Sequence, residues 1–306
     1  MRKVIFDSDT ATDDTLALLL ALKHYKVVGV TIVAGNVKFE QEIQNALFTL
    51  EYFGYTEIPV FPGASRPIMG EWRTVEEVHG DNGLSGWDYP KPSKKPENEF
   101  AADAIIRLSK EYEGELEILA VSPLTNLALA YLKDASIADR IKKVWIMGGA
   151  LSRGNTTPLA EFNFWVDPEA ANIVLNAGFD ITIVPWETAE NYATLTPQEW
   201  EEIKKMNTKS SEFFIKANMQ LLKYSLSTGE RGSVHPDTLT VVVSINPKIV
   251  KKSQKLHVEV ETCSKSRGGM LADWYNLSNK KVNAELILDV DEIKFKKLLM
   301  KILSES

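Results

Sequence analysis

The chain has 306 residues, 44% apolar and 25% charged, with a net charge of −7. That is long enough for one large α/β unit with a sizeable core, and the negative charge argues against nucleic acid as a partner. No apolar run reaches membrane-spanning length, and the single cysteine, Cys263, rules out an internal disulfide and fits a cytoplasmic setting.

Arg2–Phe6 reads as a buried strand and Asp13–His24 as a helix. Between them Asp7, Asp9, Asp13 and Asp14 crowd one tight turn. Such a loop aims several carboxylates at one point beyond the strand, where a hard divalent cation is the natural counter-charge. Helix capping accounts for Asp13 and Asp14 but gives no reason for Asp7 and Asp9. An EF-hand is excluded: counting from Asp7, position six is Thr12 rather than glycine and position twelve is Leu18 rather than glutamate. A strand followed by Asp-x-Asp also opens the haloacid-dehalogenase-like phosphatases, which this opening resembles as well.

Val27–Val33 is the next strand, leaving through Gly35-Asn36. Glu40–Phe53 is a helix, Ile58–Phe61 a short strand, Phe100–Tyr112 a helix and Leu116–Val121 a strand ended by Ser122-Pro123. Leu124–Leu132 is helical, Lys143–Met147 a strand entering Gly148-Gly149, Asp167–Ala177 a helix and Asp180–Val184 a strand. This alternation predicts a mostly parallel, Rossmann-like central sheet flanked by helices, one domain over 1–306, with ligands bound where the strands end. Two long segments interrupt it, Gly63–Glu99, which carries His79, and Asn207–Asp237, helix-like and placed to act as a flap. Leu239–Ile245, Leu256–Glu261 and Glu285–Leu288 read as extra C-terminal strands, and Asp291–Leu303 as a closing helix.

A second dense segment runs from Gly154 to Asn163. Glu161 and Asn163 lie two apart, so in an extended chain they point the same way and can grip adjacent hydroxyls, as on a sugar ring. A helix cap explains Asp167 and Pro168 but not Asn155, Glu161 and Asn163. Asp237 adds one more carboxylate before an apolar run.

Taken together, the acidic opening, Val33-Ala34-Gly35-Asn36, Leu124-Thr125-Asn126, Met147-Gly148-Gly149 and Ala160-Glu161-Phe162-Asn163 followed by Asp167-Pro168-Glu169 resemble the inosine–uridine-preferring nucleoside hydrolase family, in its motif order from Lys3 to about Leu303. Thr10-Ala11 stands where the family has Pro-Gly. The resemblance implies hydrolysis of a ribonucleoside to free base and ribose with a bound Ca2+. The ion would be held by Asp9, Asp14, Asp237 and the backbone carbonyl of Thr125, with Asp7 behind them. Asp13, Asn36, His79, Asn155, Glu161, Phe162 and Asn163 would surround the substrate, with Met147 beneath the ribose. Calcium would acidify a water, and Asp9 would accept its proton. A homodimer or homotetramer is also implied.

One family branch has a histidine immediately before the last calcium-binding aspartate. Here that residue is Pro236, which has no proton to give. His235 is the expected leaving-group acid if the loop bulges inward; His79, Trp87, Tyr224 and a water are the alternatives. Purines can also be activated by stacking and by protonation at their imidazole ring, which tilts the expectation toward purine nucleosides. A related riboside such as nicotinamide riboside, or nucleoside binding without turnover, are the other readings.

Overall fold

In the computed structural model, which describes residues 1–305, alternate residues of each central strand enter different apolar clusters. Val4, Phe6, Leu119 and Trp145 face one side of the sheet, and Ile5, Ile118, Val144 and Ile146 the other. This is the period of two expected when helices cover both faces. Phe6 is fully buried, and burying a side chain of that size contributes about 1.5–3 kcal/mol.

Strands β1 (Lys3–Ser8), β2 (Lys26–Ile32), β3 (Val60–Pro62), β4 (Leu116–Ala120), β5 (Lys143–Met147) and β6 (Ile181–Val184) are parallel. Two short antiparallel pairs lie apart from them: β7 (Thr194–Leu195) with β8 (Ser233–Val234), and β10 (Val258–Val260) with β11 (Met270–Ala272). β9 (Val250–Leu256) and β12 (Ala284–Val290) complete the main sheet, in the order β3-β2-β1-β4-β5-β6-β12-β9. Only β9 runs antiparallel to its neighbour. The first six strands have the doubly wound Rossmann order, and the order reverses between β1 and β4, which places a ligand crevice beyond their carboxyl ends.

The helices are α1 (Thr12–His24), α2 (Phe39–Phe53), α3 (Glu76–His79), α4 (Ala101–Glu111), α5 (Thr125–Lys133), α6 (Ile137–Arg140) and α7 (Phe162–Val166). They continue with α8 (Pro168–Asn176), α9 (Trp186–Tyr192), α10 (Pro197–Lys205), α11 (Lys209–Ser227), α12 (Pro236–Ile245) and α13 (Glu292–Ser304). Among the described residues no helix is long and apolar enough to cross a membrane.

One sequence expectation is corrected and one strand was not expected. Leu239–Ile245, read as a strand from its valine run, belongs to α12. Pro236 sits at the helix start, and the residues from Asp237 to Ser244 are all buried, so no polar face marks the helical period. Conversely, β9 was hidden by Lys251, Lys252 and Lys255, which suit an edge strand because their charge discourages further pairing.

Candidate active site

The exits of β1, β4 and β5 and the starts of α1, α9 and α12 surround a cavity of about 350 Å³, within the range of small-molecule sites. Asp9, Asp13 and Asp237 line it together with Asn36, His79, Met147, Asn155, Glu161, Phe162 and Asn163. Residues from 9 to 237 thus meet around one space.

Asp9 is buried, and its Oδ2 accepts the Asn36 backbone N–H at 3.1 Å. A Cβ on Gly35 would stand 2.0 Å from the same oxygen, so this turn needs glycine for close approach. The Asn36 side-chain amide donates to Asp9 O at 3.1 Å and to Asp14 Oδ2 at 3.3 Å. Asp14 also accepts the Ser8 hydroxyl at 2.7 Å and reaches back to the Ala11 N–H at 3.0 Å, closing the first turn of α1. One carboxylate oxygen each from Asp13, Asp14 and Asp237 falls within 4.8 Å of the others.

With only protein around them, Asp9 and Asp237 are pushed well above the usual carboxylate range, first by burial and then by neighbouring carboxylates. Asp14 rises for the same two reasons. The two arginines on the cavity wall do not relieve this, since Arg73 pairs with Glu77 and Arg153 with Glu190. Asp9 Oδ1 and Asp13 Oδ2 are buried with no hydrogen-bond partner. Crowded oxygen donors, two of them unpartnered, fit a hard divalent cation.

Asp7 lies behind this group. Its carboxylate accepts the Thr31 hydroxyl at 2.6 Å, the Asn126 amide at 2.9 Å and the Ser122 hydroxyl at 3.3 Å, while burial holds its pKa up at about 6. It ties β1 to β2 and to the start of α5.

On the opposite wall, Glu161 caps α7. It accepts the N–H groups of Asn163 at 2.8 Å, Gly149 at 2.9 Å and Phe164 at 3.2 Å. Burial outweighs these bonds and raises its carboxyl to about 7. The expected extended segment is therefore a helix start, yet Glu161 and Asn163 still share the cavity wall. Asn163 donates its amide to Met147 O at 3.2 Å. Asn155 Oδ1 accepts the Phe162 N–H at 2.9 Å. Asp167 caps α8 through the Ala170 N–H at 3.0 Å, as the capping interpretation expected.

Asp14, Thr125 and His235, all expected at the site, are not on the cavity wall. Thr125 turns its hydroxyl to Asp167 at 2.6 Å and is not on the cavity wall; Val121, at the exit of β4, is. His235 is fully buried and also off the wall. Its Nε2 meets Ser233 Oγ at 2.8 Å, and its ring centroid lies 5.4 Å from that of Phe214. The Trp200 indole N–H donates to the same Ser233 oxygen at 2.8 Å. The loop does not bulge inward; His235 immediately precedes α12 and packs toward the core. Burial lowers both His79 and His235 to about 3, so both rings are neutral. Trp87 packs among Phe48, Tyr89 and Phe213, away from the cavity, whereas Tyr224 lines it.

Sequence reasoning missed Arg73, Arg153 and Glu190 on the wall. It also missed Glu42, whose buried carboxylate holds the Asn36 turn through the Gly35 and Val37 N–H groups, each at 3.1 Å. The acidic residue in the first turn of α2 was the available signal for Glu42.

Residues 4–297 match the family described as inosine-uridine preferring nucleoside hydrolase. The chain belongs to this family, an enzyme family of ribonucleoside hydrolases. It is 32% identical to the pyrimidine-specific ribonucleoside hydrolase RihA of Shigella flexneri over 97% of this chain and 96% of that one. It is 44% identical to uridine nucleosidase 1 of Arabidopsis thaliana over 186 residues, which span 60% of this chain and 55% of that relative. Its fold matches the structure of a purine-preferring ribonucleoside hydrolase from Gardnerella vaginalis with a TM-score of 0.92 and 31% identity, covering 99% of this chain and 98% of that one. The phosphatase reading of the opening motif gives way to this match.

Proposed function

We propose that the chain hydrolyses the N-glycosidic bond of ribonucleosides, releasing free base and ribose. One observation carries the reading: the carboxylates of Asp9, Asp13 and Asp237 share a cavity with the hydroxyl-gripping side chains Asn36, Asn155, Glu161 and Asn163. A hard cation held by Asp9, Asp14, Asp237 and the main chain at Val121 suits that donor set, and calcium is the ion we assign. When bound, it supplies charge that acidifies water and polarises hydroxyls.

The protein's own groups do the rest. Asp9 accepts the proton of the attacking water through its unpartnered Oδ1. The glycosidic electron pair leaves with the base, and Glu161 and the aspartates stabilise the positive charge on ribose. Asn155, Asn163 and Asn36 orient the ring over Met147. Asp7 steadies the exit of β1.

The departing base has no charged histidine beside it. This favours purines, which can take a proton at their imidazole ring, here from the hydroxyl of Tyr224 on the cavity wall, which water then re-protonates. Ribose release from inosine, adenosine, guanosine, uridine and cytidine, measured without phosphate and with calcium or chelator, tests the proposal. Calcium-dependent release with purines ahead is expected. Nucleoside binding with no release would overturn the hydrolytic reading, and faster release from uridine or cytidine would overturn the purine assignment.

A further inference from the structure

Beyond β2 the N–H groups of three successive residues, Gly35, Asn36 and Val37, all end on carboxylates. Gly35 and Val37 each donate to Glu42 Oε1 at 3.1 Å, and Asn36 between them donates to Asp9 Oδ2 at 3.1 Å. The Asn36 side chain adds bonds to Asp9 O at 3.1 Å and to Asp14 Oδ2 at 3.3 Å. One short turn therefore holds both Asp9 and Asp14 and is itself held by Glu42.

Glu42 is placed independently of that turn. It stands in the first helical turn of α2, with its N–H on Lys38 O at 3.1 Å, and Ile43, Ala46, Leu47 and Leu50 bury the same helix in the core. A helical side chain leans toward its own N-terminus, so a glutamate here reaches back over the chain that precedes α2. Capping does not account for it, because Gly35 and Val37 lie outside the helix. Packing does not account for it either. Glu42 is fully buried and its Oε2 has no hydrogen-bond partner, a costly way to fill space that an apolar side chain would fill without penalty.

We infer that Glu42 is a positioning residue for the reaction. It anchors the turn of Gly35, Asn36 and Val37 to α2, and the turn fixes the Asp9 carboxylate by its Oδ2, which leaves Oδ1 unpartnered for the proton of the attacking water. The inference rests on the hydrolase reading for what Asp9 does, whereas the anchoring itself needs no substrate.

The test compares three variants of the intact protein. Glu42→Gln keeps an oxygen for both N–H groups, Glu42→Asp keeps the charge but is one methylene short, and Glu42→Ala removes the anchor. Steady-state ribose release and calorimetric calcium affinity are measured for each. Glu42→Gln should stay within about threefold of the wild type in both. Glu42→Ala and Glu42→Asp should lose on the order of thirtyfold in kcat, with a smaller change in KM, and about tenfold in calcium affinity, the sizes usual when the support behind a ligand or reacting group is removed. A Glu42→Ala protein that melts earlier but keeps kcat and calcium affinity within twofold overturns the inference, since a purely structural residue would behave that way. Glu42→Gln as impaired as Glu42→Ala also overturns it, because charge rather than anchoring would then be at work. If Glu42→Ala fails to fold, Glu42→Asp decides, and wild-type kcat and calcium affinity in that variant overturn the inference. Absence of ribose release by the wild type would defeat the hydrolase reading, while the calcium affinities still decide whether Glu42 anchors the turn.

Discussion

Gly35 packs so closely on Asp9 that a methyl group there would lie 2.0 Å from the aspartate Oδ2. The glycine that lets the β2 exit turn also fixes the proposed catalytic carboxylate. Gly35→Ala is expected to shift Asp9 and cut ribose release by on the order of 100-fold, the usual result of misplacing a reacting group by about 1 Å. Steady-state kinetics checks this alongside thermal unfolding. Activity within twofold of the wild type in a folded variant would show that the carboxylate has slack.

Asp9→Asn removes the base and weakens one cation donor while preserving shape. We expect a loss of at least about 1,000-fold in kcat, near the upper part of the range for general-base removal because two roles are lost together. Calcium affinity should fall in the same variant, measured by calorimetry. Substantial remaining turnover would remove Asp9 from the base role.

The cluster also makes stability depend on pH and cation together. Burial raises the folded-state pKa of Asp9, Asp14, Asp237 and Glu161. A raised carboxyl holds its proton more tightly in the folded chain, so its stabilising contribution is full below the unfolded pKa and is lost as pH climbs through the folded one. For Glu161 that window runs from 4.5 to about 7. A divalent cation binds the deprotonated set, so the increase in Tm caused by calcium over chelator should grow from about pH 5 to pH 8. An increase that is flat or shrinking with pH would contradict a cation site built on these carboxylates.

His235 is a packing residue, and its replacement should behave as one. His235→Ala leaves a cavity beside Phe214 and strips Ser233 of a partner, with an expected cost of about 2–4 kcal/mol in urea unfolding. Any fall in kcat should be equal for an ordinary nucleoside and for p-nitrophenyl riboside, whose leaving group needs no acid. A loss confined to the nucleoside would restore His235 as the proton donor.

What was legible in the sequence follows from what kind of group does the work. Asp7, Asp9, Asp13 and Asp14 stood out because charge cannot be crowded at a strand exit without purpose. Glu161 and Asn163 stood out because capping alone did not account for them. Which main-chain group of the β4 exit faces the cavity was not legible, since a residue there can serve a site through its main chain whatever its side chain. His235 misled for the opposite reason: its residue type signals acid chemistry, but just before α12 it turns toward Ser233 and Phe214. Likewise the valines of α12 carry a strand's composition in a helix buried on all sides.

The cavity mouth has a mechanical consequence. The Ser85 hydroxyl donates to Ala217 O and accepts the Gln220 N–H, both at 2.8 Å, and the Gln220 side chain reaches Glu77 O at 3.0 Å. Glu77 and His79 on one side are thereby stapled to Leu221 and Tyr224 on the other. The two rims are hydrogen-bonded to each other, so amide exchange in residues 76–86 and 217–225 is expected to rise and fall in step.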